Sequence, residues 1–441
     1  MSVWSDHVIW WQLHPLSFTG APATAPESTS EEPVPRLARL HHWLGYVIEL
    51  GANGLLLGPV FASQTHGYDT VDHFRLDPRL GDGSTWDALV EDCREHGVML
   101  LLDGVFNHVG RDFPQFRDVL EKGADSEYTG WFHVDFSASG ELTYRDFEGH
   151  GGLVALNHES PAVRQYTIDA MRYWLDRGAN GWRLDAAYAV PSAFWHDVIG
   201  EVRSTHPDAW FLGEVIHGDY PALVADGGLD SLTQYELWKS VWSSLNDTNL
   251  WELAWTLDRH NTFSSAFVPQ TFLGNHDVTR LASRLDDPRH LGHALAVLFT
   301  VAGVPSVYAG DEQAFRGVKY ERVDGDAEIR PEFPENPDEL SDLGRPIYRL
   351  HQDLIGLRRR HPWLTHGISS QVHLANEVFA YRVTNPEGGP GLAVLLNISD
   401  QPYGFDLGGP LTRLLGSSPD EPGTQVEAHG WAIMEYQEHQ E

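Results

Sequence analysis

Short apolar runs alternate along this chain with longer segments whose apolar residues recur at helical spacing. The first run is His7–Leu13. Arg36–Leu50 follows with Leu37, Leu40, Leu44, Val47 and Ile48 on one face, the mark of an amphipathic helix. NGLLLGPVF is the next apolar run, Trp86–His96 the next helix, and VMLLLDGV (Val98–Val105) the next strand. Pro161–Arg177 predicts a helix with Pro161 at its start and Gly178 past its end, where each residue type is favoured. Further strands are expected at Gly181–Asp185, Trp210–Glu214, Ser231–Tyr235, Thr271–Asn275 and VPSVYAG. Strand-plus-helix units repeated in this way predict an α/β fold, the (β/α)8 TIM barrel.

Two stretches break the alternation. Residues 110–157 are aromatic, polar and irregular, a short excursion after the third strand. Beyond Pro362, VFAYRV, LAVLLNI and WAIMEY are β-rich and separated by Gly, Pro and Asn turns, which predicts a C-terminal antiparallel β domain. The expected organisation is a barrel over 1–109 and 158–362, an inserted subdomain over 110–157, and a β domain over 363–441. Thr19–Pro35, TGAPATAPESTSEEPVP, leaves the first strand and has two open readings: a solvated linker, or a lid over the barrel mouth.

Composition narrows the function. Lys+Arg 30 against Asp+Glu 63 gives a net charge of −33. Such a surface repels phosphate backbones and anionic lipid, which argues against nucleic acid and membrane as partners and suits a small neutral ligand. Cys93 has no second cysteine with which to form an intrachain disulfide. The segment MSVWSDHVIWWQ lacks a basic stretch followed by an apolar one, and no apolar stretch spans a bilayer. A cytoplasmic location is expected. The oligomeric state is open, a homodimer included.

The candidate chemistry lies at strand ends. GANGWRLDAAYAV delivers Asp185, AWFLGEVIHG delivers Glu214, and QTFLGNHDVTR delivers Asp277, each acid standing where an apolar run stops. A buried acid is costly unless it is paired or used, and the C-terminal ends of barrel strands are where that fold carries its chemistry. Arg183 and Asp185, two apart, point the same way. The guanidinium favours an ionised Asp185, while neighbouring carboxylates should raise Glu214 into a proton donor. One ionised and one protonated acid form the apparatus of glycoside hydrolysis. The competing reading is a set of strand-end acids in structural ion pairs.

Four segments, DGVFNHVG, GWRLDAAYAV, LGEVIHG and LGNHDVTR, resemble in order the signature regions of the α-amylase family, glycoside hydrolase family 13. THGYDTVDHFRLDPRLG and VPSVYAGDE resemble two more of its segments. The resemblance implies that Asp185 is the nucleophile, Glu214 the acid/base and Asp277 the transition-state stabiliser. It implies that Arg183 orients the nucleophile, that His108 and His276 donate to sugar hydroxyls, and that Tyr68 stacks on the sugar ring. Asp103 resembles the family's structural acid, positioning Arg183 or the loop. In VDGDAEIRPEF, Asp326 and Arg330 resemble a donor-side sugar clamp, with a solvated charge pair as the alternative.

The departures shape the rest. Tyr188 and Ala189 stand where many α-amylases carry Lys-His, which puts the usual acceptor contacts in doubt. Asn107 resembles a calcium ligand of the family, but with that pattern broken the expectation is no metal and no cofactor. Ala186 resembles the α-1,4-acting members, and EVIHGDY the cyclomaltodextrinase branch. The resemblance therefore implies a retaining α-glucan hydrolase of small cyclic or short maltooligosaccharides, specifically cyclic α-maltosyl-(1→6)-maltose. The alternatives are a transglycosidase using the same acids and a non-catalytic sugar-binding homologue.

Overall fold

The computed structural model describes residues 4–25, 32–137, 140–322, 325–418 and 423–437. Eight short parallel strands form the barrel: β1 (Trp10–Leu13), β2 (Gly54–Leu57), β3 (Met99–Gly104), β4 (Gly181–Leu184), β5 (Trp210–Gly213), β6 (Ser231–Leu232), β7 (Gln270–Phe272) and β8 (Val304–Tyr308). They are hydrogen-bonded in the order β6-β5-β4-β3-β2-β1-β8-β7, and a parallel bridge from Thr233 to Gln270 closes the ring.

Period-two alternation sorts the side chains of these strands. Trp11, Leu13, Leu55, Leu57, Leu100, Leu102, Trp182, Leu184 and Phe211 join the core shared with the helices. Trp10, Leu56, Leu101, Trp210 and Leu212 form a separate interior cluster with Val8, Val268 and Val304. Trp10 stacks on Trp210 at 5.7 Å across that interior. Gly54 makes room for it, since a Cβ there would meet the Trp10 ring at 2.4 Å. The next inward positions are polar, and one register step places Asp103 of β3 beside Arg183 of β4. The barrel is therefore apolar below and charged at its mouth.

Several elements are shorter than their apolar runs. Ser5–His7 forms a 3-10 turn, so β1 begins only at Trp10. NGLLLGPVF divides at Pro59: Phe61–Ser63 leaves the barrel and forms a hairpin with Thr70–Leu76. The helix expected at Trp86 begins at Gly83, because Asp82 caps it with a reciprocal bond to Thr85. The sixth strand keeps two residues, because Gln234 accepts from the N–H groups of Glu236 and Leu237 and starts a helix at Tyr235.

The excursion after β3 is less irregular than expected. It holds a helix, Pro114–Lys122, and antiparallel pairs of His108–Gly110 with His150–Ala155 and of Val134–Phe136 with Leu142–Tyr144. At the C-terminal end a five-stranded antiparallel sheet is built from β9 (Ile368–Leu374), β10 (Val378–Thr384), β11 (Gly391–Asn397), β12 (Leu411–Gly416) and β13 (Trp431–Tyr436), in the order β9-β10-β11-β13-β12. Of its outer strands, β9 is largely exposed and polar, and β12 is mostly half-buried and interrupted by Thr412 and Arg413, so neither shows the continuous apolar run that marks the other three.

Glu312, just past β8, is fully buried and accepts from Tyr46 Oη at 2.8 Å and the Gly310 N–H at 2.9 Å. Burial pushes its carboxyl up to about 7 from an ordinary 4.5. A carboxyl raised on folding binds more protons folded than unfolded, so it costs stability as pH rises from 4.5 to about 7. That cost is about 3 kcal/mol, or about 3 °C in a chain of this size. Glu312→Gln should flatten the fall of Tm between pH 5 and 7.5 by that amount. An unchanged slope in thermal melts would disprove it.

Candidate active site

The site is organised on one guanidinium. Arg183, on β4, is buried, and its Nη1 donates to both Asp103 carboxylate oxygens at 2.7 Å and to Asp185 Oδ1 at 3.0 Å. Its Nη2 lies 2.7 Å from Glu214 Oε1. Strand order explains the reach: β3, β4 and β5 are adjacent, so acids at their ends fall on both sides of an arginine on the middle strand. Asp185 and Glu214 stand one residue past their strands, and Asp277 five residues past β7, in the loop that follows it.

Ala186 turns the chain immediately after Asp185 with φ 45°, a left-handed conformation rare for a residue with a side chain. The turn aims its N–H at Glu214 Oε2, 3.0 Å away. Tyr235 Oη adds a third donor to Glu214 at 3.3 Å and is itself held by Asn275 Nδ2 at 2.9 Å.

Asp277 has a different environment. Its carboxylate meets His276 Nε2 at 2.9 Å and Arg330 Nη2 at 2.9 Å. Arg330 is fixed by its Nε bond to the His276 carbonyl and by Asp326 at 2.8 Å. Gln12 Nε2 donates to His276 Nδ1 at 3.2 Å, which leaves the Nε2 proton for Asp277. The Tyr68 ring lies on His276 with planes 8° apart, and its hydroxyl meets His276 Nε2 and donates to Asp103 at 3.1 Å. His14 stacks on both Tyr68 and His276.

Asp185, Glu214, Asp277, Arg183, His276, Tyr68, Asp326 and Arg330 thus belong to one connected cluster. His108 reaches it through backbone: its Nε2 donates to the Tyr68 carbonyl at 3.1 Å, its ring stacks on Phe147, and burial pushes its pKa down to about 4. Asp326 and Arg330 form a pair braced on Asp277, where a freely solvated pair had been the alternative.

The electrostatics correct one expectation. Burial drives the Asp185 carboxyl well above its ordinary range; Arg183 opposes this, while Glu214, Asp103 and Asp277 reinforce it. One guanidinium shared among three acids does not keep Asp185 low in the ligand-free site. Asp277 shows the reverse. Burial pushes it up, but His276, Arg330 and Arg183 together hold it well below the usual carboxylate range.

Gln12, His14, Tyr235, Asn275 and Glu148 were not among the sequence candidates. Gln12 carried a signal, as the polar position in the apolar strand WWQL. Glu148 carried none: it sits in the excursion with φ 53° and accepts from Tyr188 Oη at 3.2 Å. Tyr188 also packs against His217 at 5.6 Å. A tyrosine, an imidazole and a carboxylate from three loops thus meet at Tyr188, one of the two positions where Lys-His was missing, and the tyrosine lies within the field of Glu214 and Asp185.

Residues 36–367 match the profile described as Alpha amylase, catalytic domain. The chain belongs to the alpha-amylase family. It is accordingly a glycoside hydrolase. Among relatives of this family, a cyclomaltodextrinase from Geobacillus thermopakistaniensis (strain MAS1) is 30% identical over 423 residues, covering 90% of this chain and 70% of that protein. An intracellular maltogenic amylase from Bacillus subtilis (strain 168) is 31% identical over 333 residues, covering 71% of this chain and 56% of that one. The solved ligand-free cyclic alpha-maltosyl-(1→6)-maltose hydrolase from Arthrobacter globiformis superposes with a TM-score of 0.83 at 26% identity, covering 98% of this chain and 99% of that one. This member of the alpha-amylase family therefore shares barrel and C-terminal sheet with that enzyme along nearly its whole length.

Proposed function

We infer that this protein is a retaining α-glucan hydrolase acting on α-1,4 linkages of small cyclic or short maltooligosaccharides, with cyclic α-maltosyl-(1→6)-maltose as its specific substrate. The observation that carries the reading is Arg183 joining Asp185 and Glu214 at the barrel mouth. In this reading Asp185 attacks the anomeric carbon while Glu214 gives its proton to the departing glycosidic oxygen. A glycosyl ester forms on Asp185. Glu214 then takes a proton from water, the water oxygen attacks the same carbon, and the ester breaks. Two displacements at one carbon return the starting configuration.

The pair must carry one proton and one negative charge. The raised Asp185 carboxyl shows that the site resists holding all its acids ionised. Hydrolysis needs the retained proton on Glu214 when the glycosidic oxygen arrives. Asp277 stays ionised and steadies the cationic sugar of the transition state, while Tyr68 offers the ring face and His276 holds Asp277 in place through its Nε2 proton. The chemistry rests on carboxyl groups, and this reading gives calcium no part because Tyr188 and Ala189 break the family's Lys-His pattern.

Substrate size follows from the walls. Arg79, buried and paired with Asp77, donates to the carbonyls of Pro22, Ala23 and Thr65. It anchors the start of the Thr19–Pro35 segment beside the loop that carries Tyr68. Residues 26–31, where the lid reading would be decided, lie outside the described residues. We take the bonded pair of Glu148 and Tyr188, whose tyrosine lies within the field of Glu214 and Asp185, as a second wall. A mouth walled on two sides admits a short or cyclic sugar and hinders a long glucan helix. The relatives named for cyclomaltodextrin and cyclic maltosyl-maltose hydrolysis, and the intracellular one, support this substrate class and a cytoplasmic setting.

The test is a product chromatogram over cyclic and linear α-glucans, with NMR of the first product. The expected result is an α anomer and a kcat/KM on small cyclic or short sugars at least about tenfold above that on soluble starch, which needs only ~1.4 kcal/mol of lost contact. Initial β product would overturn the mechanism, and equal activity on starch the substrate class. Product diverted onto an added acceptor sugar would favour a transglycosidase. No release from any glucan would favour a non-catalytic homologue.

A further inference from the structure

A second cluster of ligating side chains lies away from the barrel mouth, where the barrel meets the C-terminal sheet. Asp287 and His290 stand in the turn just before the helix Leu291–Thr300, and His429 stands in the turn just before β13. One ligand atom from each of the three lies within 4.8 Å of the others. His290 Nε2 and His429 Nδ1 are 3.1 Å apart. Two imidazole nitrogens bound to one tetrahedral zinc ion, at ~2.0–2.1 Å each, stand about 3.3–3.4 Å apart. The ligand-free spacing is therefore close to the bound one.

The outer contacts favour ligation. His429 Nε2 donates to Asp400 Oδ1 at 2.8 Å. That bond places the proton on Nε2 and leaves the Nδ1 lone pair facing His290. A carboxylate holding the far nitrogen is the usual support of a metal-bound histidine, since it fixes the tautomer and makes the ring more basic. The Asp287 carboxylate accepts from the backbone N–H and the guanidinium of Arg289. Arg289 is a competitor for that carboxylate, but its side chain is 59% exposed and is free to swing into water.

The surrounding frame is rigid. His293 Nε2 donates to the Asn397 carbonyl at 3.1 Å, and Gly292 lies against Trp431, where a Cβ would meet the indole nitrogen at 2.4 Å. The His429 backbone is left-handed, φ 54°, and its N–H is bonded to the Ser399 carbonyl. Ligands from two layers are thus held at fixed positions before any ion arrives.

We propose that Asp287, His290 and His429 bind one zinc ion, which ties the barrel to the C-terminal sheet, with Asp400 supporting His429 from behind. Two imidazoles and a carboxylate suit zinc and its borderline neighbours, whereas calcium takes oxygen ligands. On binding, the ion replaces the proton shared by the two rings, and His290 carries its proton on Nδ1. The hydrogen bonds and ion pairs described for these side chains run to one another, to Arg289 and to Asp400, not to Asp185, Glu214 or Asp277, so the ion acts on stability.

The experiment uses the full chain, stripped with chelator and exchanged into metal-free buffer, titrated with zinc chloride alone by calorimetry and melted with and without zinc. One zinc per chain with a Kd at or below about 10 µM is expected. At a hundredfold excess over Kd, Tm should rise by about 3 °C. His429→Asn, which keeps a side chain that tolerates the left-handed backbone, should weaken binding at least a hundredfold and abolish the Tm shift. Asp400→Asn should weaken it about 10–100-fold. Activity on a maltooligosaccharide serves as the folding control, since neither residue touches the reacting acids. Absence of binding in the parent chain, or binding unchanged in active His429→Asn protein, would overturn the proposal, the latter placing the zinc on other histidines.

Discussion

Asp185→Asn and Glu214→Gln should each lower kcat by at least about a thousandfold, and only Glu214→Gln should release a burst of fluoride from an α-glucosyl fluoride. Enzymes lower barriers by ~8–23 kcal/mol, and a group that makes or protonates the breaking bond carries a large share of that. The Asn amide cannot form the ester with the anomeric carbon, so no choice of leaving group helps it. The Gln amide cannot donate a proton, but fluoride leaves without one, so the first displacement survives. Neither change should harm the fold. Burial already drives the Asp185 carboxyl toward its neutral form, and removing one of the crowded acids relieves repulsion among those that remain. Tm of Asp185→Asn should therefore equal or exceed that of the parent. Full activity in either variant, or fluoride rescue of Asp185→Asn alone, would show that the roles are misassigned.

What was legible in the chain depends on how each element is buried. β2, β3, β4 and β5 are covered on both faces, so GLLL, MLLL, GWRL and WFLG show as apolar runs. β9 has exposed polar positions and β12 is half-buried and interrupted by Thr412 and Arg413, so neither shows such a run. β6 is two residues long, and it is cut short by Gln234 capping the next helix. For the site, alternation places Arg183 on the same side as Asp185, because both lie on one strand. That Arg183 also reaches Glu214 depends on β5 lying next to β4, and strand order is not written in any local pattern. The same holds for Asp287, His290 and His429: the first two are neighbours in sequence, but the third is brought to them by the docking of the C-terminal sheet.

Arg183→Met should destabilise the protein by about 3–5 kcal/mol at pH 7, the usual cost of stripping the partner from a buried charge. In a chain of this length that is a fall in Tm of about 3–5 °C. The methionine keeps much of the side-chain volume, so the loss isolates charge from packing. Asp103 is fully buried, and Asp185 and Glu214 nearly so. Without the guanidinium they face one another uncompensated. Burial raises Asp103 and Asp185 even with Arg183 present, and Arg183 is the leading influence that lowers both. Its removal pushes both further up. Carboxyls raised on folding bind more protons folded than unfolded, so stability falls as pH rises above the unfolded value of 3.8. The fall continues until the folded pKa values are passed. The variant should therefore approach the parent near pH 4 and diverge from it toward pH 7. Adding Asp103→Asn to Arg183→Met should restore part of the lost Tm at pH 7, because one buried charge is gone. If the two melting curves stay parallel from pH 4.5 to 7.5, or the second substitution lowers Tm further, the guanidinium is not what holds these acids together.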